Sequence, residues 1–319
     1  MYPLLLKAPV KDYLWGGNRL ITDFGFETDK EIAAEAWVLS CHKDGTSTVQ
    51  NGPHAGEPLT AVLADWGDAA LGARAAAFPY FPLLIKLIDA RDRLSVQVHP
   101  EDAYAKRVEG EFGKTEMWYI VDCEPDAQLI YGFKHGITKA EFRTRIEDNT
   151  LTEVVNFVPV HKGDVFFIPA GTLHAIGAGI LIAEAQQNSN TTYRVSDYGR
   201  LGADGKPRAL HIDKAVEVTE TVPPMAPYGA VGEPVALSGG TLRPLASCDL
   251  FTAELLTLSG TTHVGVRDSF TSLLCLTGEA TLTAEGCEPL TLSKGASVFL
   301  PAGMSAAVTG EAELLCSRV

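Results

Sequence analysis

Lys162-Gly163-Asp164-Val165-Phe166-Phe167-Ile168-Pro169-Ala170-Gly171 returns 132 residues later as Lys294-Gly295-Ala296-Ser297-Val298-Phe299-Leu300-Pro301-Ala302-Gly303. Both copies read as an apolar strand closed by a Pro-Ala-Gly turn, and such a repeat points to two related β-barrels. Elsewhere a period of two dominates, with Gly and Pro punctuation at short intervals. Leu181 to Gln187, Ser272 to Leu276, Ala280 to Thr283 and Val298 to Leu300 all read as strands. The chain is therefore expected to be mostly β. Two segments differ. Thr138-Lys139-Ala140-Glu141 has the form of a capping box, which predicts a helical insert near 137–157, with Leu151 to Val155 as a second short helix. Leu59 to Leu71 sets Leu59, Val62, Leu63, Trp66 and Ala70 on one helical face.

The two copies diverge just after their turns, where His174 in the first is matched by Ala306 in the second. His174 has company elsewhere. In Ser95-Val96-Gln97-Val98-His99-Pro100, residues 95, 97 and 99 share one strand face. Glu116 opens a further apolar run, Met117-Trp118-Tyr119-Ile120-Val121. Gln97, His99, Glu116 and His174 are thus oxygen or nitrogen donors at strand ends that a small barrel brings together. Two histidines and one carboxylate leave room for water or substrate, the arrangement of a catalytic metal site. The alternation in 95–99 also suits a strand with one wet face, and a lone strand histidine is more often structural; spacing leaves both readings open.

The 319 residues divide into a metal-bearing domain, 1–225, and a degenerate domain without metal, 236–319, joined through a Pro- and Gly-rich stretch from Pro223 to Pro234. The net charge of −14, from 26 Lys and Arg against 40 Asp and Glu, argues against nucleic acid as a partner. It leaves room for a small anionic ligand held by a local basic cluster. No apolar run approaches the ~20 residues of a membrane span. No leader is apparent in Met1 to Lys7, and the six cysteines form no Cys-x-x-Cys pair. Reduced thiols in a cytoplasmic protein are expected.

Several motifs in order now resemble those of one family. They are Leu14-Trp15-Gly16-Gly17, Glu35 to Ser40, Phe81-Pro82-Leu83-Leu84-Ile85-Lys86 and Leu94 to Pro100. Gly113-Lys114-Thr115-Glu116-Met117-Trp118-Tyr119, Ile168 to His174, Gln187-Asn188-Ser189 and Thr192-Tyr193-Arg194 follow. Over about residues 1 to 220 the chain resembles the type I mannose-6-phosphate isomerases in their short bacterial form, zinc enzymes of the cupin superfamily. The resemblance implies two cupin-type, jelly-roll β-barrels, the second degenerate. It implies one Zn²⁺ per chain on Gln97, His99, Glu116 and His174, and a hexose 6-phosphate substrate. It puts Arg194 on the active-site arginine and Ser95, Lys114 and Arg200 on positions that hold the sugar phosphate. Arg200 stands where the wider family often has lysine, and Asn190 and Ser196 depart from the short form.

The implied reaction interconverts mannose 6-phosphate and fructose 6-phosphate through a cis-enediol. Glu184 shares a strand face with Gln186 opposite an apolar face, and the resemblance places it on a pocket carboxylate, a candidate acid/base. Lys114 lies two residues before Glu116, so both can face one pocket. Arg200 shares the face of Arg194 only if the strand runs through Asp197-Tyr198-Gly199. Alternatives are a non-catalytic sugar-phosphate-binding cupin and a non-haem iron cupin oxygenase, since the same donors suit Fe(II). The six other histidines (His42, His54, His135, His161, His211 and His263) lack partner spacing. Oligomeric state is open.

Overall fold

The computed structural model describes residues 1–202, 205–224 and 228–319. Its centre is a six-stranded antiparallel sheet in the order Val165–Ile168, Glu116–Cys123, Ile180–Gln187, Leu83–Ala90, Glu35–Leu39, Val10–Lys11. One face packs on a five-stranded sheet ordered Val155–Pro159, Gln128–Phe133, His174–Ala175, Val96–Val98, Tyr193–Ser196. Ile120, Phe166 and Ile182 of the first sheet meet Leu129 and Tyr131 of the second in one apolar cluster. The other face carries Met117, Tyr119, Ile85 and Leu87 against Phe270, Leu274 and Phe299 of the C-terminal half.

Being covered on both sides has a consequence for the pattern. Every residue of Leu83–Ala90 and of Ile180–Gln187 is buried, so the alternation there is one of chemistry, not exposure. Leu83, Ile85, Leu87, Leu181, Ala183 and Ala185 point to the C-terminal half, while Lys86, Glu184 and Gln186 share the opposite face with Ile88, Ile180 and Ile182. The chain is a mostly β cupin fold.

The C-terminal half supplies seven strands of a nine-stranded sheet, and Leu258, Leu273, Leu282, Val298 and Leu314 cluster in its own apolar core. The repeat is visible in the backbone: Gly163 and Gly295, at φ 91° and 89°, make the same left-handed turn into matching strands, a conformation that costs glycine little. His174 and Ala306 each open a strand, but Ala306 sits in an apolar core. The N-terminal strand Leu4–Lys7 joins this C-terminal sheet, between Ser297–Leu300 and Thr48–Val49. Of the Pro- and Gly-rich stretch expected to divide the halves, Met225, Ala226 and Pro227 lie outside the described residues.

The helical expectations are met in part. Thr138 caps Lys139–Glu147, its hydroxyl accepting from Glu141 N at 3.0 Å. Beyond it only a three-residue 3-10 turn forms, Leu151–Glu153. Val155 instead begins a strand, because pairing to Phe133 and burial outweigh a weak local helix preference. Leu59 to Leu71 is two helices, Leu59–Trp66 and Asp68–Ala76, broken where Gly67 turns left-handed at φ 63°. Ser272 to Leu276 and Ala280 to Thr283 belong to one strand, Thr271–Ala284, with a bulge near Cys275. Among the described residues no helix is long and apolar enough to cross a membrane.

Leu4 is fully buried opposite Phe299 and ties the start of the chain to its last third. Leu4→Ala is expected to lower stability by ~2–5 kcal/mol, read as a lower urea midpoint at unchanged secondary structure.

Candidate metal centre

Sheet register builds the site. Across the five-stranded sheet His174 pairs with Gln97 and Gln97 with Arg194, so these three lie in one row. In the facing sheet Trp118, Glu184 and Lys86 form a second row, with Glu116 and Gln186 one step along the strands. His99 follows directly on the strand Val96–Val98. Local sequence thus fixes which face each side chain takes, and the packing of two sheets brings the rows together.

His99, Glu116 and His174 offer ligand atoms that all lie within 4.8 Å of one another, in full burial. His99 Nε2 stands 3.6 Å from Glu116 Oε2, and His174 Nε2 stands 3.3 Å from Glu116 Oε1. Each imidazole is held from behind by a backbone carbonyl: His99 Nδ1 by Thr191 O at 2.8 Å, His174 Nδ1 by Thr172 O at 2.9 Å. A carbonyl only accepts, so each Nδ1 carries the proton and each Nε2 presents a lone pair. Burial, and then the Lys114 charge, hold both imidazoles neutral, with the His174 pKa pushed down to about 3.

The Glu116 carboxylate shows that the donors fit a cation. Both oxygens are buried without a directed hydrogen bond, a costly state for a charge. Burial pushes this carboxyl up against the pull of Lys114, whose ammonium lies 2.6 Å from Oε2 and 3.1 Å from His99 Nε2. Gln97 completes the ring, its amide nitrogen 3.4 Å from His174 Nε2; half a turn of the amide presents its oxygen instead. Two imidazoles, a carboxylate and an amide suit zinc or another first-row divalent ion.

A cavity of ≈ 300 Å³ opens beside these donors, with Gln97 and Lys114 in its wall. Ser95, Glu184 and Arg194 line it as well. Ser95 and His99 are 4% and 1% exposed, so the alternation in 95–99 marks a pocket wall and not a wet strand face. Glu184 accepts from Trp118 Nε1 at 2.8 Å and pairs with Lys86 Nζ at 3.1 Å. Burial opposes its charge, yet the Lys86 and Lys114 ammoniums outweigh burial and keep it ionised, below the usual carboxylate range.

Arg200 is not brought to the cavity wall. Tyr198 and Gly199 both turn left-handed, at φ 56° and 75°, and send it outward to Arg93 O at 2.5 Å and Asp197 at 2.6 Å. Arg208 lines the cavity in its place. Nothing local in Lys206-Pro207-Arg208 marks it, because the residue arrives on the return arm of a turn. Lys86 is a second residue not singled out from the sequence, although a single lysine inside Leu83-Leu84-Ile85-Lys86-Leu87-Ile88 is the signal of a buried, paired charge.

The family description "Phosphomannose isomerase type I, catalytic domain" matches residues 4–126, and "Mannose-6-phosphate isomerase, cupin domain" matches 242–319. The mannose-6-phosphate isomerase of Streptococcus mutans is 38% identical over 299 residues, 94% of this chain and 92% of that relative. Mannose-6-phosphate isomerase ManA of Bacillus subtilis is 38% identical over 319 residues, 99% of each chain. A crystal structure of the mannose 6-phosphate isomerase from Bacillus subtilis superimposes with a TM-score of 0.91 at 34% identity, covering 100% of both chains. With the likeness running through the whole length at that identity, the chain belongs to the type I phosphomannose isomerase family.

Proposed function

We propose that the protein interconverts mannose 6-phosphate and fructose 6-phosphate in the cytoplasm, moving a proton between C2 and C1 through a cis-enediol, with one zinc ion per chain. One observation carries the reading. Gln97 and Lys114, which contact the His99, Glu116 and His174 donors, line the same small cavity as Arg194 and Arg208, so a cation for sugar oxygens would stand beside a grip for a dianion. The likeness to full-length mannose-6-phosphate isomerases supports it.

Gln97, His99, Glu116 and His174 would hold the ion. Bound there, zinc supplies the Lewis acidity that polarises a carbonyl and steadies an enediolate, worth several kcal/mol. The remaining work falls to the chain. Arg194 lines the cavity with its guanidinium half-buried and Nε without a partner, which supports a role for it in meeting the developing oxyanion. Ser95 and Lys114 reach the cavity to hold phosphate oxygens, and Lys114 is released for that once Glu116 is neutralised by something other than its ammonium. Arg208 takes the phosphate contact from the wall, and Arg200, tied to Arg93 O and Asp197, makes none. Binding the phosphate, away from the reacting carbons, orients C1 and C2.

Glu184 is ionised and so already in the proton-accepting form. Its ion pair with Lys86 has to loosen before its pKa nears the working pH, where a base is most effective. Lys114, Arg194 and Arg208 in the cavity wall favour a phosphorylated substrate over the neutral one of an oxygenase.

His99→Ala and His174→Ala are expected to lose bound zinc and more than ~100-fold in turnover together, read by metal analysis alongside the assay. Arg194→Ala should keep its zinc and lose ~10²–10³ in kcat/KM; a fully active variant would remove Arg194 from the reaction. In D₂O, NMR should show deuterium entering C1 or C2 of the product. Binding without label uptake would leave a sugar-phosphate sensor.

A further inference from the structure

Asp197 is the centre of a cluster whose Arg208 the reaction uses but whose carboxylate it leaves without a role. It is 6% exposed and receives two arginines. Arg208 approaches as a fork, Nε 2.7 Å from Oδ2 and Nη2 2.6 Å from Oδ1. Arg200 Nη2 stands 2.6 Å from the same Oδ1. The chain is shaped for this. The left-handed turn at Tyr198 and Gly199 starts an outgoing arm that carries Arg200, Leu201 bridges to Pro207, and the returning arm delivers Arg208. Beyond it the segment is stitched to the strand bearing Arg194: His211 N donates to Arg194 O at 2.8 Å, and Arg194 N donates to His211 Nδ1 at 3.1 Å.

We propose that Asp197 is a positioning residue for the phosphate grip: it holds the Arg208 guanidinium side-on, so that the remaining Nη1 donors face the cavity in a fixed orientation. This rests on the phosphorylated-substrate reading and deepens it. Two physical effects of Asp197 oppose each other. Its negative charge weakens the pull of the arginine cluster on an anion. Its fork removes the rotamer freedom that a long side chain otherwise loses on binding. A charge-assisted bidentate pair is strong and directional, and the side chains of Arg208 and Arg200 are only 30% and 22% exposed. Orientation therefore outweighs the unfavourable charge.

The opposing signs make the test decisive. Inorganic phosphate is the probe, as a competitive inhibitor of the zinc-loaded enzyme, with KM and kcat for hexose 6-phosphate measured beside it. Asp197→Asn is expected to raise both the phosphate Ki and KM by ~10-fold, with kcat changed less than ~3-fold and zinc content unchanged. In an Arg208→Ala background the same substitution should add little, because the group it orients is gone. Asp197→Glu, which keeps the charge and reaches further, should recover part of the loss. Unchanged or tighter phosphate binding in Asp197→Asn would overturn the proposal and leave Asp197 as a charge balancer. If the unsubstituted enzyme binds neither phosphate nor hexose 6-phosphate, the phosphorylated-substrate reading fails first. Should Asp197→Asn fold poorly, Arg208→Lys probes the same fork from its other side. Lysine keeps the charge but cannot make the side-on pair, so KM should rise while kcat holds; an unchanged KM there would equally overturn the proposal.

Discussion

The structure is organised around a carboxylate that has been taken out of water. Glu116 has both oxygens buried and lies between two imidazoles whose lone pairs are turned toward it. An ionised carboxylate in such a place is tolerated only beside a matching positive charge. Lys114 provides part of that charge. The donors around it form a group able to hold a metal ion, and carbonyls of Thr191 and Thr172 fix both histidine tautomers.

Keeping water from that carboxylate calls for a sheet covered on both faces. The five-stranded sheet supplies one cover and the C-terminal half the other. The second half carries the same strand and turn as the first but with Ala306 in an apolar core at the position of His174, so what it contributes is burial. The strand Leu4–Lys7, built into the C-terminal sheet, binds the two halves at the start of the chain. Dielectric around the donors is thereby set by residues far from them in sequence.

Around the cavity each buried charge has an assigned partner. Lys86 pairs with Glu184, Lys114 with Glu116, and Arg208 and Arg200 with Asp197. Glu116 and Glu184 feel opposite balances, burial prevailing at the first and the lysines at the second. Two carboxylates on neighbouring strands are thus shifted in opposite directions by their surroundings. A chain with net charge −14 keeps its cationic lining inside this one cavity wall, where it favours an anionic ligand without making the surface basic.

Much of this could be read from residue order. Period-two patterning, the repeated Pro-Ala-Gly turn and the spacing of Gln97, His99, Glu116 and His174 are local properties, because a strand dictates which face each side chain takes. For the same reason the capping box at Thr138 foretold its helix. Tertiary structure alone decided three things. It turned Val155 from helix to strand through pairing with Phe133. It sent Arg200 outward and brought Arg208 in, since two left-handed residues turn the chain just before Arg200 and Leu201 bridges back to Pro207. It also settled the ionisation of Glu184, which depends on the distance to Lys86 across a sheet. Periodicity reports the direction of a side chain relative to its own strand; which charges end up as neighbours is fixed only when separate strands pack.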